Sequence, residues 1–347
     1  MSTYIFIFSI IIVLSFTVSQ VDRLIGHFYF KLTLSILVLF IGLRYQVGGD
    51  WYTYLDMYNE ISKLDLYSAV LYTDPAYGLL NWISYKWSLG IYFVNFSCAV
   101  IFSVGLYRLC VSLPQPWFAL LISTPFLVTV VAMGYSRQAA ATGFGMIALV
   151  MLLERRAWKF IFYVFMASLF HKTALFYFLF FPLTLPPVRI GIKILIVIIL
   201  ICVAFILLYR SIGGMWAIYI TQGMESRGGL ARVLLNTIPG ILFLSSRHQW
   251  YSRWPHYYGL LFWLSIISIV LLPLQFLSST VIDRVSLYVI PLQMIVFSTL
   301  PLLYESGLKY LFLIGSTVMY FSIYIYWLMF SYYAQYYWIP YDNILFR

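Results

Sequence analysis

Residues 117–153 read WFALLISTPFLVTVVAMGYSRQAAATGFGMIALVMLL, with Arg137 the single charged side chain. A bilayer span needs roughly 20 apolar residues. The stretch therefore reads as two spans, 117–135 and 138–153, joined at Gly134-Tyr135-Ser136-Arg137-Gln138. Outward from it, apolar runs recur at 3–19, 28–43, 91–110, 157–170, 173–185, 190–209, 230–246, 257–276, 285–303 and 308–330. The expected fold class is all-α: a polytopic integral membrane protein of about twelve transmembrane helices, with outer amphipathic and re-entrant segments. Composition agrees. The 347 residues are 63% hydrophobic and 9% charged, against about 25% charged in soluble domains. That excludes a soluble enzyme, a disordered chain and a secreted disulfide scaffold.

Residues 1–347 are expected to form a single transmembrane domain. The apolar start, Tyr4 to Val18, lacks a basic n-region and an A-x-A site, so it reads as a first span and not as a removable signal. The three cysteines (Cys98, Cys110, Cys202) are odd in number, lack CxxC spacing and read as small core residues. With the amino terminus outside, the inner loops hold eleven basic residues against three acids (Asp22, Glu154, Glu305). The outer face carries ten basic residues against eight acids, so the Glu154-Arg155-Arg156-Ala157-Trp158-Lys159 cluster is the main cytoplasmic signature.

Two outer segments are long. In 44–90, Ala76, Leu79, Leu80, Ile83 and Trp87 recur at helical spacing, which predicts a surface amphipathic helix entered at Pro75. The segment 210–229 is Gly-rich and suits a cover over a site. The tail, Tyr332 to Trp338, reads as an interfacial aromatic belt.

The densest polar run is Arg44-Tyr45-Gln46-Val47-Gly48-Gly49-Asp50-Trp51-Tyr52-Thr53-Tyr54. Arg44 offers a planar fork suited to phosphate. Asp50 is a candidate base, or a group that orients a sugar hydroxyl. Trp51 and Tyr54 present faces suited to a sugar ring. The competing reading is an interfacial anchor with an Arg44–Asp50 ion pair. Arg137 at a span end either snorkels to the interface or faces a polar cavity, and Gly143 and Gly145 after it permit close helix packing. His171, between two apolar runs, is either a satisfied core residue or a base on the same side as Arg44 and Arg137. His27, His248 and His256 fall in basic inner loops. None of the four histidines pairs with another His or a carboxylate at ligand spacing, so no metal site and no cofactor is expected. Asp283 and Arg284 either neutralise one another or leave Arg284 to an outer anion site. Arg210, Arg227 and Arg232 flank the second outer segment, Arg227 reading best as a solvated charge. Collectively, Arg44, Arg137, Arg210 and Arg284 fall on one membrane face beside sugar-stacking aromatics, a composition suited to a lipid-linked pyrophosphoryl sugar.

Four pieces carry a resemblance: Arg44-Tyr45-x-Val47-Gly48-x-Asp50 with Tyr54; Ser136-Arg137-Gln138; Phe170-His171-x-Thr173-Ala174; and Arg284 with Tyr288. In this order they resemble the EpsG-type family of bacterial exopolysaccharide and O-antigen polymerases, the Wzy-like proteins, over roughly residues 40–290. Gly49 stands where a small hydroxyl residue is usual, and Thr173 where Ser is common. The resemblance implies a GT-C-like glycosyltransferase of the bacterial inner membrane that needs no nucleotide sugar. It would transfer an undecaprenyl-pyrophosphate-linked glycan to the non-reducing end of a new lipid-linked repeat on the periplasmic face. Expected partners are those lipid-linked oligosaccharides, the bilayer, a Wzz-type chain-length regulator and a Wzx-type flippase; no nucleic acid is expected. Arg44, Arg137, Arg210 and Arg284 would hold pyrophosphate, His171 or Asp50 would act as base, and Trp51, Tyr54, Gln138 and Tyr288 would contact sugar. An O-antigen ligase, a lipid-linked oligosaccharide flippase and a membrane acyltransferase are the competing classes.

Overall fold

A computed structural model describes residues 1–18, 23–185, 191–192, 194–200, 202, 226 and 228–347. The described residues are almost wholly helical, with one isolated bridge, Arg44 to Asn343. Among the described residues five helices are long and apolar enough to cross a bilayer: Leu24–Gly42, Gly90–Val111, Ser136–Leu153, Pro255–Leu274 and Gly307–Phe330. Two bent pairs, Gly229–Ser245 with Arg247–Arg253 and Ser279–Val289 with Pro291–Leu303, raise this to seven. Ser2–Thr17, Pro116–Ala132, Ala157–Phe170 and Lys172–Leu183 are apolar but shorter. The expectation of twelve spans is thus met only in part. Several runs are broken or too short to cross a bilayer upright, and half of 190–209 lies outside the described residues.

We number the helices α1 (Ser2–Thr17), α2 (Arg23–Gly42), α3 (Trp51–Ile61), α4 (Leu66–Tyr72), α5 (Pro75–Lys86), α6 (Gly90–Val111), α7 (Pro116–Ser123), α8 (Ser136–Leu153) and α9 (Ala157–Phe170). The 3₁₀ run Lys172–Leu183 is α10, followed by α11 (Gly229–Ser245), α12 (Arg247–Arg253), α13 (Pro255–Leu274), α14 (Ser279–Ser286), α15 (Pro291–Thr299) and α16 (Ser306–Phe330).

Cross-links fix the directions. The Ser136 hydroxyl donates to Asn95 Oδ1 at 2.7 Å, while Arg108 and Met151 line one cavity at the far end. Helices α6 and α8 therefore run parallel, and α7 returns between their connections. They cross closely at Gly105 and Gly143, where a Cβ on either glycine would fall on the partner's backbone. Gly145 faces the Tyr177 ring. The glycines read for close packing serve that purpose. Beyond α7 the chain continues as a π-helix, Thr124–Ala132, which includes Pro125 and carries the chain on to the Gly134 junction.

The Pro75 helix forms as the sequence predicts, with proline in its first turn. Its buried side is Tyr77, Gly78, Asn81 and Ser84, which leaves Leu79 and Trp87 exposed on the outward side.

The tail corrects its reading. Tyr332, Tyr333 and Tyr336 are exposed as a belt residue would be, but Trp338 is buried. The Trp338 indole donates to Thr129 O at 2.9 Å, and Tyr4 OH donates to Trp338 O at 2.8 Å. The tail then runs along the Arg44 loop: Tyr45 N donates to Asp342 O, Ile344 N to Leu43 O and Gly48 N to Tyr337 O. Indole and amide donors that would be orphaned in lipid thus find carbonyls in the bundle.

Gly48 marks the tightest point of that loop. Its φ is +112°, and a Cβ there would meet the Met133 carbonyl oxygen. Gly48→Ala is expected to cost roughly 2–5 kcal/mol from strain and overlap together, read as a lowered unfolding midpoint in detergent. An unchanged midpoint would show that the loop is not held against Met133.

Candidate functional site

The four motifs meet at the start of α8. Successive helical residues point about 100° apart, so Ser136, Arg137 and Gln138 engage three different neighbours. Ser136 accepts from Arg44 Nη2 at 2.9 Å and donates to Asn95. Gln138 lies beside Tyr288. Arg137 turns to the outer helices: its Nη1 donates to Thr73 Oγ1 at 2.8 Å and Asp74 Oδ2 at 3.1 Å. Its guanidinium also lies over the Tyr54 and Tyr77 rings, at 5.7 and 5.9 Å. A span-end arginine that snorkelled would lack these partners; Arg137 faces polar protein groups.

Asp74 is the centre of the cluster, and the sequence reading missed it. It precedes Pro75 at the N-cap position of α5 but makes no capping bond. Its carboxylate, only 6% exposed, turns instead to three donors from elsewhere. Beside Arg137 these are the Lys172 backbone N–H, 3.3 Å from Oδ1, and His171 Nδ1, 3.5 Å from Oδ2. The break between α9 and α10 makes this possible. His171 is extended, with φ −158° and ψ 114°, so its ring and the next amide both reach Asp74. Thr173 Oγ1 and Tyr288 OH, 2.6 Å apart, close the side toward α14.

Asp50 and Arg284 complete the cluster. Burial pushes the Asp50 carboxyl above the usual carboxylate range, and the positive charges of Arg284 and Arg137 pull it back. The same influences place Arg284 near Tyr288 and Tyr135. Buried polar atoms here with no hydrogen-bond partner among the described residues include Arg137 Nε, His171 Nε2, Gln138 Nε2 and Tyr77 OH. Such atoms are rare in folded interiors, and three from two motifs in one cluster point to an absent polar ligand.

Other candidates are placed differently. Arg44 is 1% exposed. Its Nε donates to Val47 O at 2.9 Å and its Nη1 to Ile41 O at 2.6 Å. It forms no ion pair with Asp50 and is a clamp between α2, its own loop and α8, closed off from a bulky anion. Trp51, expected to stack on sugar, is 4% exposed and packed between Arg44, Tyr45 and Tyr92. Tyr54 and Tyr288 are also buried, so the ring faces expected to bind sugar are covered by protein. Asp283 pairs with Arg232, whose Nη2 donates to Asp283 Oδ2 at 2.6 Å, and Ser226 bridges the two. Arg210, Arg227 and most of the 210–229 segment lie outside the described residues. Among the described residues no group of three or more His, Cys, Asp and Glu is placed to hold a metal ion.

The two placements of arginine separate in one measurement. Arg44→Lys removes the fork that holds two carbonyls and Ser136, at a cost of roughly 3 kcal/mol, and is expected to lower the unfolding midpoint. A variant as stable as wild type would return Arg44 to the list of ligand-binding groups.

No curated protein and no solved structure matches the chain. The family model of the EpsG family matches residues 27–343. The match takes in the Arg44 loop, the α8 start, His171 and Arg284 together, and on it the chain belongs to the EpsG family.

Proposed function

We propose that this chain is a GT-C-like glycosyltransferase of the bacterial inner membrane, a polysaccharide polymerase acting on polyprenyl-pyrophosphate-linked repeat units at the periplasmic face. The observation that carries the reading is the Asp74 cluster: one buried carboxylate engages a guanidinium and an imidazole, and both keep a buried nitrogen unpartnered. Family membership supports the polymerase class.

The chemistry follows from these groups. With a proton on Nδ1 directed to Asp74, His171 presents the Nε2 lone pair as a base. It takes the proton of the acceptor hydroxyl as that oxygen bonds to the anomeric carbon of the donor glycan. The anomeric C–O bond to pyrophosphate breaks, and Arg137 with Arg284 stabilises the departing charge. Asp50, which feels the charge of both arginines, orients the acceptor. Bound pyrophosphate leaves without a general acid. A Wzx-type flippase would supply the lipid-linked units and a Wzz-type regulator would set chain length.

The test is complementation of a deletion strain. His171→Ala and Arg284→Ala, expressed at wild-type level, are expected to leave a single capped repeat with no ladder. A full ladder from both variants contradicts the proposal. Loss of the capped repeat itself would indicate a ligase or a flippase.

A further inference from the structure

A second site lies at the opposite end of the bundle. Helices α6 and α9 rise on either side of α8, and at their far ends they enclose a cavity of about 590 Å³. Arg108 ends α6, Lys159 begins α9, and the turn from Glu154 to Arg156 closes the mouth. Arg156 is neutralised by Glu154 at 2.9 Å. Arg108 and Lys159 have no carboxylate partner among the described residues, so the mouth carries two uncompensated cations.

One helical turn deeper the walls become apolar. Phe162 stands one turn from Trp158 on α9, and both line the cavity with exposed side chains, with Tyr163 beside them. Buried Met151 of α8 forms the floor. Two cations at the end of apolar helices, above an apolar groove, match a lipid with a phosphate headgroup and an acyl chain. A soluble anion has no use for Trp158 and Phe162, and a zwitterionic headgroup would bring its ammonium against Arg108 and Lys159. We propose that this groove binds one anionic glycerophospholipid, its phosphate between Arg108 and Lys159 and an acyl chain along Phe162 and Tyr163. The site is independent of the Asp74 cluster and of the reaction proposed there.

The experiment is native mass spectrometry of the purified full chain in detergent, with phosphatidylglycerol, phosphatidylcholine or inorganic phosphate added. Wild type is expected to retain phosphatidylglycerol in preference to phosphatidylcholine. The Arg108→Gln/Lys159→Gln double variant is expected to retain it about thirtyfold less, at about 1 kcal/mol per cation. Should that variant not fold, wild type supplies the second reading: raising the salt is expected to release phosphatidylglycerol, as screening weakens a charge-held headgroup. Three results overturn the proposal: equal retention of phosphatidylcholine, retention insensitive to both salt and the double variant, or displacement by equimolar inorganic phosphate.

Discussion

Arg137→Ala is expected to lower stability, as it removes one partner of the buried Asp74 pair, and to abolish polymer synthesis by the protein that still inserts and folds. The guanidinium bonds Thr73 and Asp74 and lies over two tyrosine rings, yet its Nε remains unpartnered. If that side chain stabilises the departing pyrophosphate, its loss removes an interaction strongest in the transition state, of a kind whose removal costs about 10²–10³ in rate. Arg137→Lys keeps the charge but not the fork and is expected to recover only part of the activity. The measurement is the rate of ladder formation per folded protein. Near-wild-type synthesis by Arg137→Ala would reduce Arg137 to a structural tether.

Asp74 carries the second large expectation. A carboxylate 6% exposed is held there by its donors, and removing it leaves Arg137, His171 and the Lys172 amide without their shared acceptor. Breaking a buried pair by deleting one partner costs about 3–5 kcal/mol, so Asp74→Ala is expected both to destabilise the chain and to inactivate it. Asp74→Asn is the more informative variant. It keeps the shape and a carbonyl acceptor but not the charge that holds the His171 Nδ1 proton. Its unfolding midpoint is expected near wild type, its activity down about 10²-fold or more, an effect within the range ascribed to a positioned base. An active Asp74→Asn would show that the imidazole is not oriented by this carboxylate.

How far these features were legible differs from residue to residue. The apolar runs and the Arg137 junction follow from local sequence, because bilayer thickness sets the length of a span and a lone arginine marks its end. Asp74 did not, because its partners lie 63 and 97 positions away. Preceding Pro75, it looks like an ordinary helix cap, and only packing shows that it does not cap. Arg44 and Arg137 are alike in sequence, each at the edge of an apolar run. What separates them is that the Ile41 and Val47 carbonyls fold back onto Arg44, which depends on the positive φ values at Gln46 and Gly48. Adjacency hid the partner of Asp283, whose side chain pairs with Arg232 on α11, 51 positions away. The span count parts from the expectation elsewhere: the runs 3–19, 117–135, 157–170 and 173–185 wind into helices of 10–17 residues, and hydropathy registers an apolar segment but not how much of it forms one continuous helix.

Reconstitution gives the most direct test of the central claim. Purified chain in proteoliposomes would be supplied with lipid-linked single repeats extracted from a deletion strain, with no nucleotide sugar. The account predicts a ladder of joined repeats from wild type and none from Arg137→Ala or His171→Ala. Repeats that cross the bilayer without joining, or a ladder from either variant as long as that of wild type, would contradict it.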